Sequence, residues 1–280
     1  MLFVFLRALC NTLFAQLLRL GQAKRPQTLG VITVNYGVAT LASLVLAVFH
    51  RRAHYFPPTL SLGALGGVAY IVSILLFMPA MRRSGVSVAV AVLQLAILWP
   101  VAYAMLVFGE MPSEPQWVGM AAAVSALVLL SMGRAVPRER KAIRFSPLLL
   151  LLFFVTGISG ITMKAFHEYA PPQDLPGFMA VLFGTATLGG ALAMVVRREP
   201  LRWADWALGA AVGLPNAAQL EFLLRAMETV PAIVVFPVSS ALSLLLNAVA
   251  AILWWGERLD RPTALGLALA LAATVLLNRG

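Results

Sequence analysis

The stretches FGEMPSEPQWVGM, residues 108–120, and WGERLDRPTALGL, residues 255–267, share one motif at an offset of 147 residues. In both, a Gly-Glu pair is followed by a second glycine nine residues after the glutamate: Gly109-Glu110 with Gly119, and Gly256-Glu257 with Gly266. Each stretch closes one long apolar run and precedes another. Because the offset is close to half of the 280-residue chain, the motif predicts two related halves.

The composition indicates a membrane protein. Of the 280 residues, 61% are hydrophobic and 11% are charged, and the mean hydropathy is +0.88. A soluble fold of this size could not bury so much apolar surface. The net charge of +10 comes largely from short basic clusters between apolar runs, which favours contact with anionic lipid over nucleic acid. We therefore predict a multi-pass protein of the inner or plasma membrane.

A spanning helix needs about 20 mainly apolar residues. Charged residues, prolines and glycines divide the chain into ten such spans, predicted at residues 2–20, 27–49, 60–81, 85–108, 114–133, 146–166, 175–196, 203–225, 229–255 and 261–278. The longest polar segment, residues 134–144, separates spans five and six. We predict an all-α fold with one five-helix repeat at residues 1–135 and a second at residues 145–280.

The repeat continues in spans three and eight, where Gly63 and Gly67 recur 146 residues later as Gly209 and Gly213. Both pairs have the spacing that allows close helix packing. Since five is an odd number, the second half must enter the membrane upside down. Inverted halves of this kind are typical of secondary transporters, whose binding sites lie at the repeat interface near the midplane.

The two quoted stretches, together with VITVNYGVATL at residues 31–41, resemble the drug/metabolite transporter superfamily, EamA type. The resemblance covers essentially the whole chain. It implies that the first four helices of each half surround a central cavity, that the fifth and tenth helices lie outside, and that one half rocks against the other.

We therefore expect a gradient-driven secondary transporter that exports a small metabolite. A multidrug exporter for lipophilic cations, with the same fold, is the alternative, and a membrane scaffold or enzyme is a weaker one. The expected partners are a small-molecule substrate, the lipid bilayer, protons as a coupling ion and a second copy in a homodimer. No cofactor, metal or catalytic site is expected, because the sequence has no HExxH, CxxC or Walker motif. Ser159 lies in a Gly-x-Ser-Gly pattern, but no histidine on another helix is placed to activate it.

The candidate substrate-binding residues are mostly polar uncharged side chains inside the spans. Tyr70 and Asn216 are repeat-equivalent at an offset of 146, as are Ser73 and Gln219, so all four fall in matching parts of spans three and eight. Further candidates are Asn11, Asn35, Tyr36 and Gln94, which must find hydrogen-bond partners in lipid or face the substrate path. Trp99, before Pro100, is an apolar wall of the site or a buried packing residue.

Three glutamates have predicted roles, and that of Glu221 is open between two alternatives. Glu221 is either a protonatable cavity carboxylate that could contact a cation, or half of an ion pair with Arg225, four residues later. Glu110 and Glu257 end helices, so we expect a structural role near the start of the next helix.

Membrane orientation stays open at this level. The odd-numbered loops hold 15 lysines and arginines against six on the other side, which places the termini outside the cytoplasm by the positive-inside rule. The family resemblance instead implies cytoplasmic termini.

Overall fold

The computed structural model describes residues 1–21, 27–49, 55–84, 86–133, 147–256 and 261–277, and this part of the chain is helical without strands. The helices are α1 (Leu2–Gly21), α2 (Thr28–Phe49), α3 (Pro57–Ser84), α4 (Val86–Leu95), α5 (Leu98–Phe108), α6 (Glu114–Gly133), α7 (Pro147–Tyr169), α8 (Leu175–Arg197), α9 (Trp203–Met227), α10 (Ala232–Trp255) and α11 (Arg261–Leu277). A short 3₁₀ helix, Pro172–Asp174, precedes α8.

The helices follow the predicted spans, and the all-α membrane fold is confirmed. Eight segments within the described residues are long and apolar enough to cross a bilayer, and α11 adds a shorter apolar helix. Large apolar side chains such as Leu106 and Trp203 remain more than four-fifths exposed, as expected of a lipid-facing surface. The helices α6 and α11, which correspond to spans five and ten, pack against each other.

Predicted span four differs from expectation because it is two helices, α4 and α5, separated at Ala96 and Ile97. Pro100 explains the break. It lacks the N–H that would bond to the carbonyl of Ala96, four residues earlier, and that carbonyl instead accepts from the Trp99 N–H at 3.1 Å. The tightened turn interrupts the helix near the middle of the span.

The glycine of each Gly-Glu pair ends a helix for a conformational reason. Gly109 after α5 has φ +66°, and Gly256 after α10 has φ +64°, the left-handed region that glycine adopts without strain. The Glu110 N–H returns to the Ala104 carbonyl at 3.2 Å, which satisfies an otherwise unpaired group at the helix end. Glu257 lies outside the described residues.

The paired glycines of α3 face helix α8, and the predicted packing role is borne out. A Cβ atom on Gly67 would lie 2.3 Å from the Leu182 carbonyl oxygen, and one on Gly63 would lie 3.0 Å from that of Phe178. The two backbones therefore approach to a distance that no side chain other than hydrogen permits.

The second half repeats this contact on helix α9, which faces α2. A Cβ atom on Gly209 would lie 2.7 Å from the Val31 carbonyl oxygen, and one on Gly213 would lie 3.0 Å from that of Asn35. The other helix contacts come in similar pairs: α1 packs on α9 as α7 packs on α3, and α1 packs on α10 as α7 packs on α5. These paired contacts are those of an inverted repeat, and they join the halves along α2, α3, α8 and α9.

Candidate substrate-binding cavity

A central cavity of about 410 Å³ lies between the two halves. Its wall is built by α1, α2, α3, α4, α5, α7, α9 and α10. Ten polar side chains line it: Arg7, Asn11, Tyr36, Tyr70, Ser73, Gln94, Thr156, Ser159, Gln219 and Ser240. Apolar surface comes chiefly from Ile97, Met163, Leu220, Leu223 and Phe236. The cavity therefore offers an amphipathic small molecule both hydrogen-bonding groups and an apolar wall.

Six of the ten predicted site residues meet at this cavity: Asn11, Tyr36, Tyr70, Ser73, Gln94 and Gln219. Tyr36 and Tyr70 pack edge to face with ring centroids 5.9 Å apart, and both rings pack on Phe183 of α8. Aromatic pairs prefer this geometry, so the two phenol rings are held firmly against the half interface.

The amides of the cavity wall form an ordered chain. Asn11 Nδ2 donates to Gln219 Oε1 at 2.8 Å, and Gln219 Nε2 donates to Asn216 Oδ1 at 2.6 Å. Asn216 is buried behind Gln219 and fixes its orientation from outside the cavity lining. Of the repeat-equivalent pair Tyr70 and Asn216, the structure thus brings only Tyr70 to the cavity surface.

The chain of amides continues away from the cavity along α1 and α10. Asn247 on α10 lies between Asn11 and Gln16, accepting from Gln16 Nε2 at 3.2 Å. Gln16 Oε1 in turn accepts from the indole N–H of Trp255 at 2.8 Å. Interhelical amide bonds of this kind stabilise membrane helices by about 0.6 kcal/mol each.

Hydroxyl groups of α3 and α7 form a second polar part of the wall. Thr156 Oγ1 donates to Ser73 Oγ at 3.2 Å, which joins the two halves. Ser159 donates to the Thr156 carbonyl of its own helix at 2.6 Å. The serine of the Gly-x-Ser-Gly pattern is therefore engaged with backbone at the cavity surface.

Asn35 and Trp99 lie outside the cavity lining. Asn35 is buried on α2, and no partner among the described residues reaches its Oδ1. The Trp99 indole rests against Gly157 and packs on Phe153 and Phe154 at centroid distances of 5.8 and 5.1 Å. Of the two alternatives for Trp99, this position matches a buried packing residue rather than a wall of the site.

Glu221 lies at a separate and smaller pocket of about 200 Å³, near the α8 and α9 ends. Its Oε1 pairs with Arg225, at 2.7 Å from Nη2 and 3.0 Å from Nε. Arg225 is 39% exposed, so this is the ion-pair arrangement expected of a glutamate four residues before an arginine.

Glu110 has a structural position, although its partner is a different helix from the one expected. Its Oε2 accepts from the Ile233 N–H at 3.1 Å, at the start of α10, rather than capping α6. Its Oε1 pairs with the buried Lys164 Nζ, which also pairs with Glu168. The glutamate thus links α5, α7 and α10.

Four polar cavity residues were not among the predicted candidates: Arg7, Thr156, Ser159 and Ser240. Arg7 is the charged one. It lies on α1 one turn before Asn11 and lines the same cavity. The signal was available, because an ionisable residue within a membrane span is a functional candidate by default.

The comparisons with known proteins agree with this architecture. The sequence profile described as "EamA-like transporter family" matches residues 1–132 and 145–279. A solved structure described as "Crystal structure of protein" superposes with a TM-score of 0.76 at 16% identity, covering 99% of this chain and 97% of that one. No curated protein matches the sequence. The chain therefore belongs to the EamA-like transporter family and, through it, to the drug/metabolite transporter superfamily.

Proposed function

We propose that the protein is a secondary active transporter that exports a small metabolite through the central cavity by alternating access. One observation carries the proposal: a cavity of about 410 Å³ lies between the two halves and takes polar side chains from both. Its size suits a solute of metabolite dimensions. Membership of a transporter family supports transport. Export as the direction, and the plasma membrane as the location, are further parts of the proposal.

The proposed solute contacts are Asn11, Tyr36, Tyr70, Gln94 and Gln219, because each reaches the cavity surface. Asn216 holds Gln219 from behind, and so shapes the site without touching the solute. The driving force is a gradient of protons or of the solute itself. The two are separated by imposing a pH gradient on vesicles that contain solute at equal concentrations on both sides.

The experiment that tests the proposal compares efflux before and after a large side chain is placed in the cavity. Purified protein is reconstituted in proteoliposomes loaded with amino acids, organic acids, nucleosides and amines, and efflux is followed by mass spectrometry. Gln94→Trp places a large ring in the cavity wall, whereas Leu106→Trp makes the same addition on the lipid face, where Leu106 is 85% exposed.

We expect the wild type and Leu106→Trp to move at least one solute class, and Gln94→Trp to fall to the rate of empty vesicles. Equal efflux from the two variants would show that the cavity is not the transport route. Absence of any protein-dependent efflux would refute transport.

A further inference from the structure

The guanidinium of Arg7 is a buried cation at the cavity wall. Arg7 and Asn11 are four residues apart on α1, so they share one helix face, and both line the cavity. The wall beside them carries the neutral polar groups of Tyr70, Gln94 and Gln219. Arg7 is the charged member of the lining within the described residues.

No side chain of the described residues neutralises Arg7. Its Nε and Nη1 are buried, and neither has a hydrogen-bond partner there. The ionisable group that interacts with it electrostatically is Tyr70, whose phenol is uncharged at neutral pH. A guanidinium has five N–H donors in a planar fork and stays protonated, so it requires acceptors when it leaves water.

Snorkelling does not account for this placement. An arginine that snorkels keeps its guanidinium in water at the membrane surface, whereas Nε and Nη1 of Arg7 are withdrawn into the protein. Arg7 is half-buried as a whole and lines the cavity. The unmet donors therefore belong to a residue of the cavity wall, and a solute reaches them when the guanidinium turns toward the cavity.

The charge is also one-sided. The helix α7, the counterpart of α1 in the second half, has no ionisable residue between Pro147 and Met163. Its cavity-facing residues Thr156, Ser159 and Met163 are neutral. One side of an otherwise pseudosymmetric cavity is thus positive, which orients a solute with a single anionic end.

We propose that Arg7 is the anion-binding residue of the cavity and that the transported solute is a small organic acid bound through its carboxylate. This inference rests on the proposed transport function and names its substrate class. A carboxylate matches the guanidinium fork with two parallel hydrogen bonds. The apolar body of the acid then lies against Ile97, Leu223 and Phe236. A lipophilic cation fits poorly, because it would meet the Arg7 charge.

The test compares matched acids, amides and amines as probes of the full chain in lipid nanodiscs. Benzoate, benzamide and benzylamine, and butyrate, butyramide and butylamine, differ mainly in the charge of one group. Thermal unfolding is followed at neutral pH over a concentration series of each compound. The variants are Arg7→Gln, Arg7→Lys and Arg197→Gln, the last removing an equal charge from the exposed end of α8.

We expect the acids to raise the unfolding temperature of the wild type and of Arg197→Gln, while the amides and amines do not. Arg7→Gln should weaken the apparent affinity for the acids by about 10- to 150-fold, the value of a hydrogen bond to a charged group. Arg7→Lys keeps the charge without the fork and should fall between. Arg7→Lys also replaces Arg7→Gln in the comparison if Arg7→Gln does not fold.

The inference is overturned if no acid stabilises the wild type, if amines stabilise it as strongly as acids, or if both Arg7 variants respond like the wild type. The efflux assay then separates the two proposals. Movement of amines or neutral solutes with no movement of acids would leave transport standing and remove the role of Arg7. Arg7-dependent acid binding without any efflux would leave the anion site standing and remove transport.

Discussion

The substitution Gly67→Ala, which adds one methyl group, tests how tightly the two halves are packed. The added Cβ would lie 2.3 Å from the Leu182 carbonyl oxygen and 2.7 Å from Thr185 Cβ. Ordinary contact begins at 3.4 Å, so α3 and α8 must separate by about 1 Å. The main obstacle is a backbone carbonyl, which cannot rotate away as a flexible side chain would.

Overpacking of this kind costs about 1–3 kcal/mol. Replacing glycine by alanine in a helix returns up to about 1 kcal/mol. We therefore expect Gly67→Ala to lower the free energy of unfolding by up to about 2 kcal/mol, toward the upper end because the obstacle is backbone. Gly184→Ala on α8 is the matched control, because its Cβ would meet only Thr40 Cγ2, at an ordinary 3.6 Å. That variant should be neutral or stabilised by up to about 1 kcal/mol.

The measurement is reversible unfolding of both variants in mixed micelles, with the helical content followed by circular dichroism against the denaturing detergent. We expect a lower unfolding midpoint for Gly67→Ala than for the wild type, and an unfolding midpoint for Gly184→Ala at or above that of the wild type. If Gly67→Ala were as stable as Gly184→Ala, the close approach of α3 and α8 would not be a packing constraint.

Three further substitutions test individual contacts. Glu110→Gln should destabilise by about 2 kcal/mol in the same unfolding assay, because the buried Lys164 loses one of its two carboxylates. Asp205→Asn should cost about 1–3 kcal/mol, since the buried carboxylate accepts from the Gln27 and Arg202 N–H groups through separate oxygens and an amide can accept through only one. Glu221→Gln should cost less than about 1 kcal/mol and leave efflux unchanged, because an exposed pair contributes little and lies away from the cavity.

The helix pattern was predictable because lipid leaves few alternatives. Backbone groups in the bilayer must be satisfied within each segment, so a long apolar run between charges is a helix. Nine predicted spans correspond to single helices whose ends lie within a few residues of the expected ones. The motif glycines Gly109 and Gly256 also set the register of the repeat, since a helix end with positive φ favours glycine wherever it occurs.

It was much harder to predict which face of each helix lines the cavity and which packs against another helix. A helix that is apolar on all sides gives no stripe to show which face is buried. The sequence therefore placed Asn11, Asn35, Asn216 and Gln219 inside spans without separating the cavity surface from the buried helix contacts. The hydrogen bond between Asn11 and Gln219 joins residues 208 positions apart, and no local pattern contains that information.

The role of Glu110 depended on tertiary structure, whereas the break in span four is a local effect. At the break, the Ala96 carbonyl that Pro100 cannot serve takes the Trp99 N–H three residues later. Glu110 begins a connection to α6 in sequence, yet it lies beside the first turn of α10 in space. For Glu110 the carboxylate was visible in the sequence, but its partner 123 residues away was not.

The repeat also builds equivalent contacts between the halves at the two ends of the bundle. Lys164 Nζ lies 4.9 Å from the ring centroid of Phe108, and the Arg19 guanidinium lies 4.4 Å from that of Trp255. Each aromatic residue directly precedes a motif glycine, and each cation comes from the first helix of the opposite half. Cation–π contacts contribute about 0.5–2 kcal/mol.

Such pairing bears on the alternating access proposed above, which would require two conformations of similar free energy. In that proposal, the end that opens would lose contacts of the type that the other end gains, so the difference in free energy between the two states would stay small. Arg7 departs from this balance, since α7 has no charge at a comparable depth. The pseudosymmetric contacts therefore suit the proposed movement of the halves, while the unpaired charge suits the proposed selection of an anionic solute.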